Sequence, residues 1–125
     1  MDFSEWLVLV VEDEYDSVQM VSKILNHHGI EAHVAGNGVE CLEMLAQMEP
    51  TIIVMDLAMP EMDGWETLVA IRSNPETAHI PVVAMTAYHS VDVASDAIEA
   101  GFDSIFPKPI NARSFVDSLV EIVSG

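Results

Sequence analysis

An aspartate closes the apolar run Thr51-Ile-Ile-Val-Met55 and opens the segment Asp56-Leu-Ala-Met-Pro-Glu-Met-Asp-Gly64. A carboxylate is costly to desolvate, so an apolar strand that ends in one suggests an acid held for chemistry. An aspartate after a strand is often only a turn or cap residue, and taken alone that reading is the favoured one. Three further apolar runs end in polar groups: Glu12-Asp13-Glu14 follows Trp6 to Val11, Thr86-Ala87 follows Met85, and Lys108 stands between Pro107 and Pro109. If Glu12, Asp13 and Asp56 meet at one edge, they repel one another and their pKa values rise unless a cation intervenes. A hard divalent ion with all-oxygen ligation, Mg²⁺ or Mn²⁺, answers that need, and no Cys or His spacing suggests zinc. Such a metal, the Lys108 ammonium and the Thr86 hydroxyl are the groups required to stabilise a phosphoryl group moving onto a carboxylate.

Those groups converge only if the chain folds to bring its strand ends together. Periodicity divides the sequence into five repeats of strand followed by helix. The strands are expected at Trp6 to Val11, Glu31 to Ala35, Thr51 to Met55, Ile80 to Met85 and Ser104 to Phe106. The first helix spans about Glu14 to His28, with Val18, Val21 and Leu25 inward and Gly29 at its stop. A second follows Gly38 with Val39, Leu42, Leu45 and Ala46 as its apolar face, Cys41 as a small packing residue, and Pro50 as its end. A third runs from Gly64 to Ser73, with Leu68 and Ile71 inward. Ser90 caps a fourth, which carries Val91, Ala94, Ala97 and Ile98 and stops at Gly101. Asn111 caps a fifth, with Phe115, Leu119, Ile122 and Val123 as its stripe. Strict alternation implies right-handed crossovers and a doubly wound α/β domain: a five-stranded parallel sheet with helices on both faces. Ligands of such folds sit at the carboxyl ends of the strands, where these polar groups fall.

The chain resembles the response-regulator receiver domain of two-component signalling over essentially its whole length. Val10-Val-Glu-Asp-Glu14, Val54-Met-Asp-Leu-Ala-Met-Pro-Glu-Met-Asp-Gly64, Val83-Ala-Met-Thr-Ala87 and Pro107-Lys-Pro109 carry the likeness, in that order and spacing. It implies a flavodoxin-like strand order, 2-1-3-4-5, and a phosphorelay in which Asp56 accepts a phosphoryl group from a sensor histidine kinase or histidine phosphotransfer protein. It further implies Mg²⁺ held by Asp13, Asp56 and the backbone carbonyl of Ala58, with Glu12 helping through water. Lys108 would pair with the phosphate, fixed by a cis bond before Pro109, and Thr86 would move toward the phosphate and report its arrival. A downstream protein target would read the face of the fourth helix, fifth strand and fifth helix, and the domain would be a monomer or a weak homodimer.

Three positions modulate that pattern. Ala58 and Tyr88, each two residues beyond Asp56 and Thr86, resemble positions that set phosphoryl lifetime in the family. Ile105 stands where the family usually carries an aromatic residue that turns inward on activation. Phe106 is a poor substitute, because strand alternation points it to the opposite face, where packing is its expected role. An alternative reading is a receiver-like interaction module that works without phosphorylation. A phosphohydrolase with an aspartyl nucleophile is disfavoured, since such enzymes commonly need a second acid where Ala58 stands.

Composition sets the outer limits. The 125 residues suit one receiver domain spanning 1-125, with no effector domain in this chain. Half the residues are hydrophobic, yet no apolar run is long enough to span a membrane. An acidic N-terminus without a basic region and the single Cys41 fit a cytoplasmic protein. With 21 acidic residues against four basic ones, the formal charge is −17. The resulting field repels nucleic acid and anionic membrane, and reflects either solubility or a preference for basic partners. His27 and His28 read as surface residues, Met55 and Met85 as core filling. Trp65 is expected to face solvent or a partner.

Overall fold

A computed structural model describes residues 2–125. Five strands alternate with five helices: β1 Leu7–Val11, α1 Tyr15–His27, β2 Glu31–Ala35, α2 Gly38–Leu45, β3 Ile52–Asp56, α3 Gly64–Ser73, β4 Val82–Thr86, α4 Val91–Ala100, β5 Ser104–Pro107 and α5 Phe115–Ser124. The strands form one parallel sheet in the order β2-β1-β3-β4-β5. Strand order reverses between β1 and β3, so their carboxyl ends open a crevice that no connection crosses.

Alternation along the strands builds two cores. Leu9, Ile53, Met55, Val82 and Ala84 face one side with Cys41, Leu68, Ile71 and Ala97 of α2, α3 and α4. Val8, Val10, Ile52, Val54, Val83 and Met85 face the other with Val21 and Leu25 of α1 and Phe115 and Leu119 of α5. All five residues of β3 and of β4 are buried, as expected for central strands covered by helices on both faces. Each fully buried aliphatic side chain there stabilises the fold by about 1.5–3 kcal/mol. Met55 and Met85 are completely buried core residues, and Phe106 packs edge-on against Phe115 at 5.2 Å.

Several boundaries and faces differ from the sequence reading. β4 begins at Val82, because Pro81 has no N–H for the ladder, and extends to include Thr86. α2 ends at Leu45, several residues before Pro50. It buries Cys41 and Leu45 while Val39 and Ala46 are exposed, so the cysteine is central to its packed face. α4 buries only Ala97; Val91 and Ile98 lie in solvent, Val91 at 83% exposure. Asn111 accepts from the amides of Arg113 and Ser114 in a turn ahead of α5, which starts at Phe115. Trp65 is half-buried: its ring meets Phe102 edge-on at 5.7 Å against the first core, and the rest of it lines an open cleft.

Two polar devices hold the elements that carry the strand ends. Asp63 and Glu66 form a reciprocal capping box at the start of α3. Arg72, at the end of that helix, donates to the carbonyls of Ala78, Ile80 and Gly101 and to Asp103 Oδ2. The same Asp103 oxygen accepts from the Val82 amide, which ties the approach to β4 to the approach to β5.

Candidate functional site

The carboxyl edge of β1, β3 and β4 and the segment after β5 converge as a single polar centre. Glu12, the residue after β1, is 1% exposed; Asp56, the last of β3, is 6% exposed; Thr86, the last of β4, is 3% exposed. Asp13 is exposed beside them at the mouth. One carboxylate oxygen from each of Glu12, Asp13 and Asp56 lies within 4.8 Å of the others. Backbone pairing fixes this approach: Glu12 N donates to Ala35 O, and Leu57 N donates to Met85 O, so the chain leaves each strand still bonded to its neighbour.

Lys108 reaches into the same centre. Its ammonium donates to Glu12 Oε1 and Oε2, both at 3.1 Å, and to Asp56 Oδ2 at 3.2 Å. The Lys108 amide donates to Thr86 O, and the Lys108–Pro109 peptide is cis. Burial alone would lower the Lys108 pKa, but hydrogen bonding to Glu12 and the charges of Asp56 and Glu12 outweigh it and raise the value. Glu12 is pushed up from 4.5 to about 7, first by burial and then by Asp56, against which Lys108 only partly compensates. A single ammonium therefore does not neutralise the acids around it, and the excess negative charge is what a divalent cation matches. The donor set, three carboxylates and no nitrogen or sulfur, fits Mg²⁺ or Mn²⁺.

The remaining site residues frame the acids. Ala58 N donates to Asp56 Oδ1 at 3.3 Å, fixing the carboxylate's rotation from the loop that follows it. The Thr86 hydroxyl accepts from the Tyr88 amide at 3.0 Å. Tyr88 itself is 77% exposed. Ile105 pairs with Ala84 across the β4–β5 ladder and packs on the first core, away from the acids, while Phe106 belongs to the second core on the opposite face.

Gly64 is a contributor that the sequence reading placed only as a helix start. A Cβ there would fall 2.6 Å from Asp56 O and 2.9 Å from Leu57 Cα, both backbone atoms. Its own amide donates to Leu57 O, so α3 begins pressed directly against the residue that ends β3. The glycine after Asp63 in a capping-box spacing was the available signal. Arg72 left none beyond the scarcity of basic residues, because its partners are carbonyls up to 29 positions away.

The doubly wound parallel sheet gathers buried carboxylates and a lysine at its switch point, and no glycine-rich phosphate loop follows β1. The chain belongs to the family of the response regulator receiver domain, whose family model matches residues 8–120. Domains of this family serve phosphorylation-dependent two-component signalling. An uncharacterised 14.6 kDa protein of Leptolyngbya boryana is 35% identical over 109 residues, covering 87% of this chain and 83% of that protein. The regulatory protein AtoC of Escherichia coli is 38% identical over 104 residues, 83% of this chain but only 22% of AtoC. Among solved structures, the chemotaxis response regulator CheY4 of Vibrio cholerae superposes with a TM-score of 0.86 at 27% identity, covering 94% of this chain and 98% of that one. Among the described residues, no helix is long and apolar enough to cross a membrane.

Proposed function

We propose that Asp56 accepts a phosphoryl group from a sensor histidine kinase or histidine phosphotransfer protein, in a Mg²⁺-dependent reaction, and that the acyl phosphate shifts the domain between two surface states read by a downstream protein. The observation that carries this reading is the shared contact of Lys108 with Glu12 and Asp56 beside Asp13. Asp56 is the acid among the three that Lys108 touches and that closes the central strand. Its carboxylate oxygen would attack phosphorus while the donor's histidine nitrogen leaves.

The roles of the other residues follow from charge. A phosphoryl group adds roughly two negative charges to a buried edge, which is tolerable only if metal and ammonium neutralise them. Asp13 and Asp56, with the Ala58 carbonyl and with Glu12 through water, would hold the cation, and Lys108 would turn from Glu12 toward the phosphate oxygens. The Thr86 hydroxyl, now accepting from the Tyr88 amide, would donate to a phosphate oxygen. The chain acts as a receiver that catalyses its own phosphorylation and dephosphorylation, not as an enzyme with a turned-over substrate. Its setting is the cytoplasm, and residues 1–125 function as one domain.

Intact-mass measurement tests this directly. A small phosphodonor with Mg²⁺ is expected to add a single phosphoryl mass to the native chain, with no adduct in Asp56→Asn or in excess EDTA. An adduct of equal yield in Asp56→Asn would refute the assignment.

A further inference from the structure

Ile105 poses a mechanical problem. It is half-buried, branched at Cβ and already packed on the core that holds Val93 and Ala97 of α4. A β-branched side chain in a strand has restricted χ1 freedom and no ring to swing. A signal arriving at Thr86 therefore needs another route to α4.

The loop between β4 and α4 supplies one. It is only Ala87, Tyr88, His89 and Ser90, all exposed, and a hydroxyl-to-amide bond closes each end. Thr86 Oγ1 accepts from Tyr88 N at 3.0 Å, and Ser90 Oγ accepts from Val93 N at 3.1 Å. So short a strap cannot absorb a movement of the Thr86 hydroxyl: either the Tyr88 amide follows or its bond is lost. Beside it lies an open cleft of about 590 Å³. Asp13, Ala58 and Thr86 line its polar end, and Met59, Trp65 and Val93 give it apolar walls toward the first turn of α4. Tyr88 borders this cleft with its ring mostly in solvent, an apolar area whose burial is favourable.

We infer that Tyr88 is the positioning residue that carries phosphorylation to α4: when the Thr86 hydroxyl turns to the phosphoryl group, the amide bonded to it draws the Tyr88 ring into the cleft against Met59, Trp65 and Val93. The inference rests on Asp56 being the phosphoryl acceptor. Ring closure does two things at once. It places an aromatic face against Val93 on α4, the helix whose Val91 and Ile98 are exposed, and it covers the polar end of the cleft, slowing attack of water on the acyl phosphate.

Trp65 lines the cleft and reports on it. In a Trp6→Phe background Trp65 is the only indole, so its emission can be followed while intact mass records the adduct in the same sample. Phosphodonor with Mg²⁺ is expected to change Trp65 emission in step with adduct formation. Tyr88→Ala is expected to lose that change and to shorten the lifetime of the adduct several-fold after donor removal, whereas Tyr88→Phe, which keeps the ring, restores both. Rescue by phenylalanine separates a closing ring from a general loss of structure. Adduct on the native chain without a Trp65 response overturns this inference alone, as does a Tyr88→Ala chain with native response and lifetime. Absence of any adduct on the native chain overturns the phosphoacceptor reading, and this inference with it.

Discussion

Replacing Lys108 by methionine, which keeps the stem and removes the charge, has opposite consequences for stability and for metal binding. The Lys108 side chain is 15% exposed, and those of its partners Glu12 and Asp56 are 0% and 8% exposed. At the observed 3.1–3.2 Å separations and an effective dielectric constant near 20, each ion pair is worth roughly 5 kcal/mol of gross attraction. Most of that is offset by the desolvation of three charged groups. The methionine variant, however, leaves two carboxylates facing each other without a counter-ion, and breaking a buried pair in this way costs about 3–5 kcal/mol. Protonation of Glu12 relieves part of the loss, and without the ammonium its pKa rises further above the native value of about 7, so the penalty grows as pH climbs past 7.

In EDTA at pH 8, Lys108→Met is therefore expected to melt on the order of 10 °C below the native chain. Mg²⁺ should narrow the gap, because a cation at the three carboxylates replaces the missing charge and no longer competes with the ammonium for Glu12. The measurement is a pair of thermal unfolding curves for each chain, in EDTA and in saturating Mg²⁺. Equal melting temperatures in EDTA, or a Mg²⁺-dependent gain no larger than that of the native chain, would refute the claim that Lys108 is the internal counter-ion of this centre.

Other perturbations test the supports of the site. Gly64→Ala drives a Cβ against Asp56 O and Leu57 Cα and is expected to cost about 1–3 kcal/mol in urea unfolding, together with a loss of Asp56 phosphorylation; an unchanged unfolding midpoint would contradict the close approach. Arg72→Met orphans the carbonyls of Ala78, Ile80 and Gly101 and is expected to cost about 3 kcal/mol, with hydrogen-exchange protection lost first at Val82 and Asp103. Glu12 binds its proton more tightly in the folded chain than in the unfolded one, so its contribution to metal-free stability is complete below pH 4.5 and is lost as pH rises through about 7. Mg²⁺ must displace that proton, so titration calorimetry should show affinity rising with pH up to about 7 and levelling above it, while Glu12→Gln flattens the profile.

The fold was legible because four of the five strands contain short apolar runs, with β2 (Glu31–Ala35) the exception, and each helix carries an apolar stripe. The same logic failed where burial is shallow. Val91 and Ile98 sit at helical spacing on α4 yet face solvent, since only Ala97 of that helix is buried. On α2, Cys41 rather than Val39 or Ala46 meets the core, a rotation that periodicity over eight residues cannot fix. The acids, Thr86 and Lys108 were legible because each ends an apolar run. What the sequence hid is how they pair. Nothing in Glu12-Asp13-Glu14 says that Glu12 is buried against Lys108, 96 positions away, while Asp13 stays at the mouth. Likewise, the bond from the Tyr88 amide to the Thr86 hydroxyl depends on the conformation of a four-residue loop, which composition does not specify.

Of the three acids at the site, Asp56 alone is expected to become the acyl phosphate. Brief treatment with a small phosphodonor and Mg²⁺, reduction with borohydride and tandem mass spectrometry of the digested chain reads this at single-residue level, because borohydride converts a phosphorylated aspartate to homoserine. If Asp56 is the acceptor, homoserine forms at position 56 and at no other. Homoserine at Asp13, or aspartate unchanged at position 56 in a sample that carries the phosphoryl mass, would contradict it.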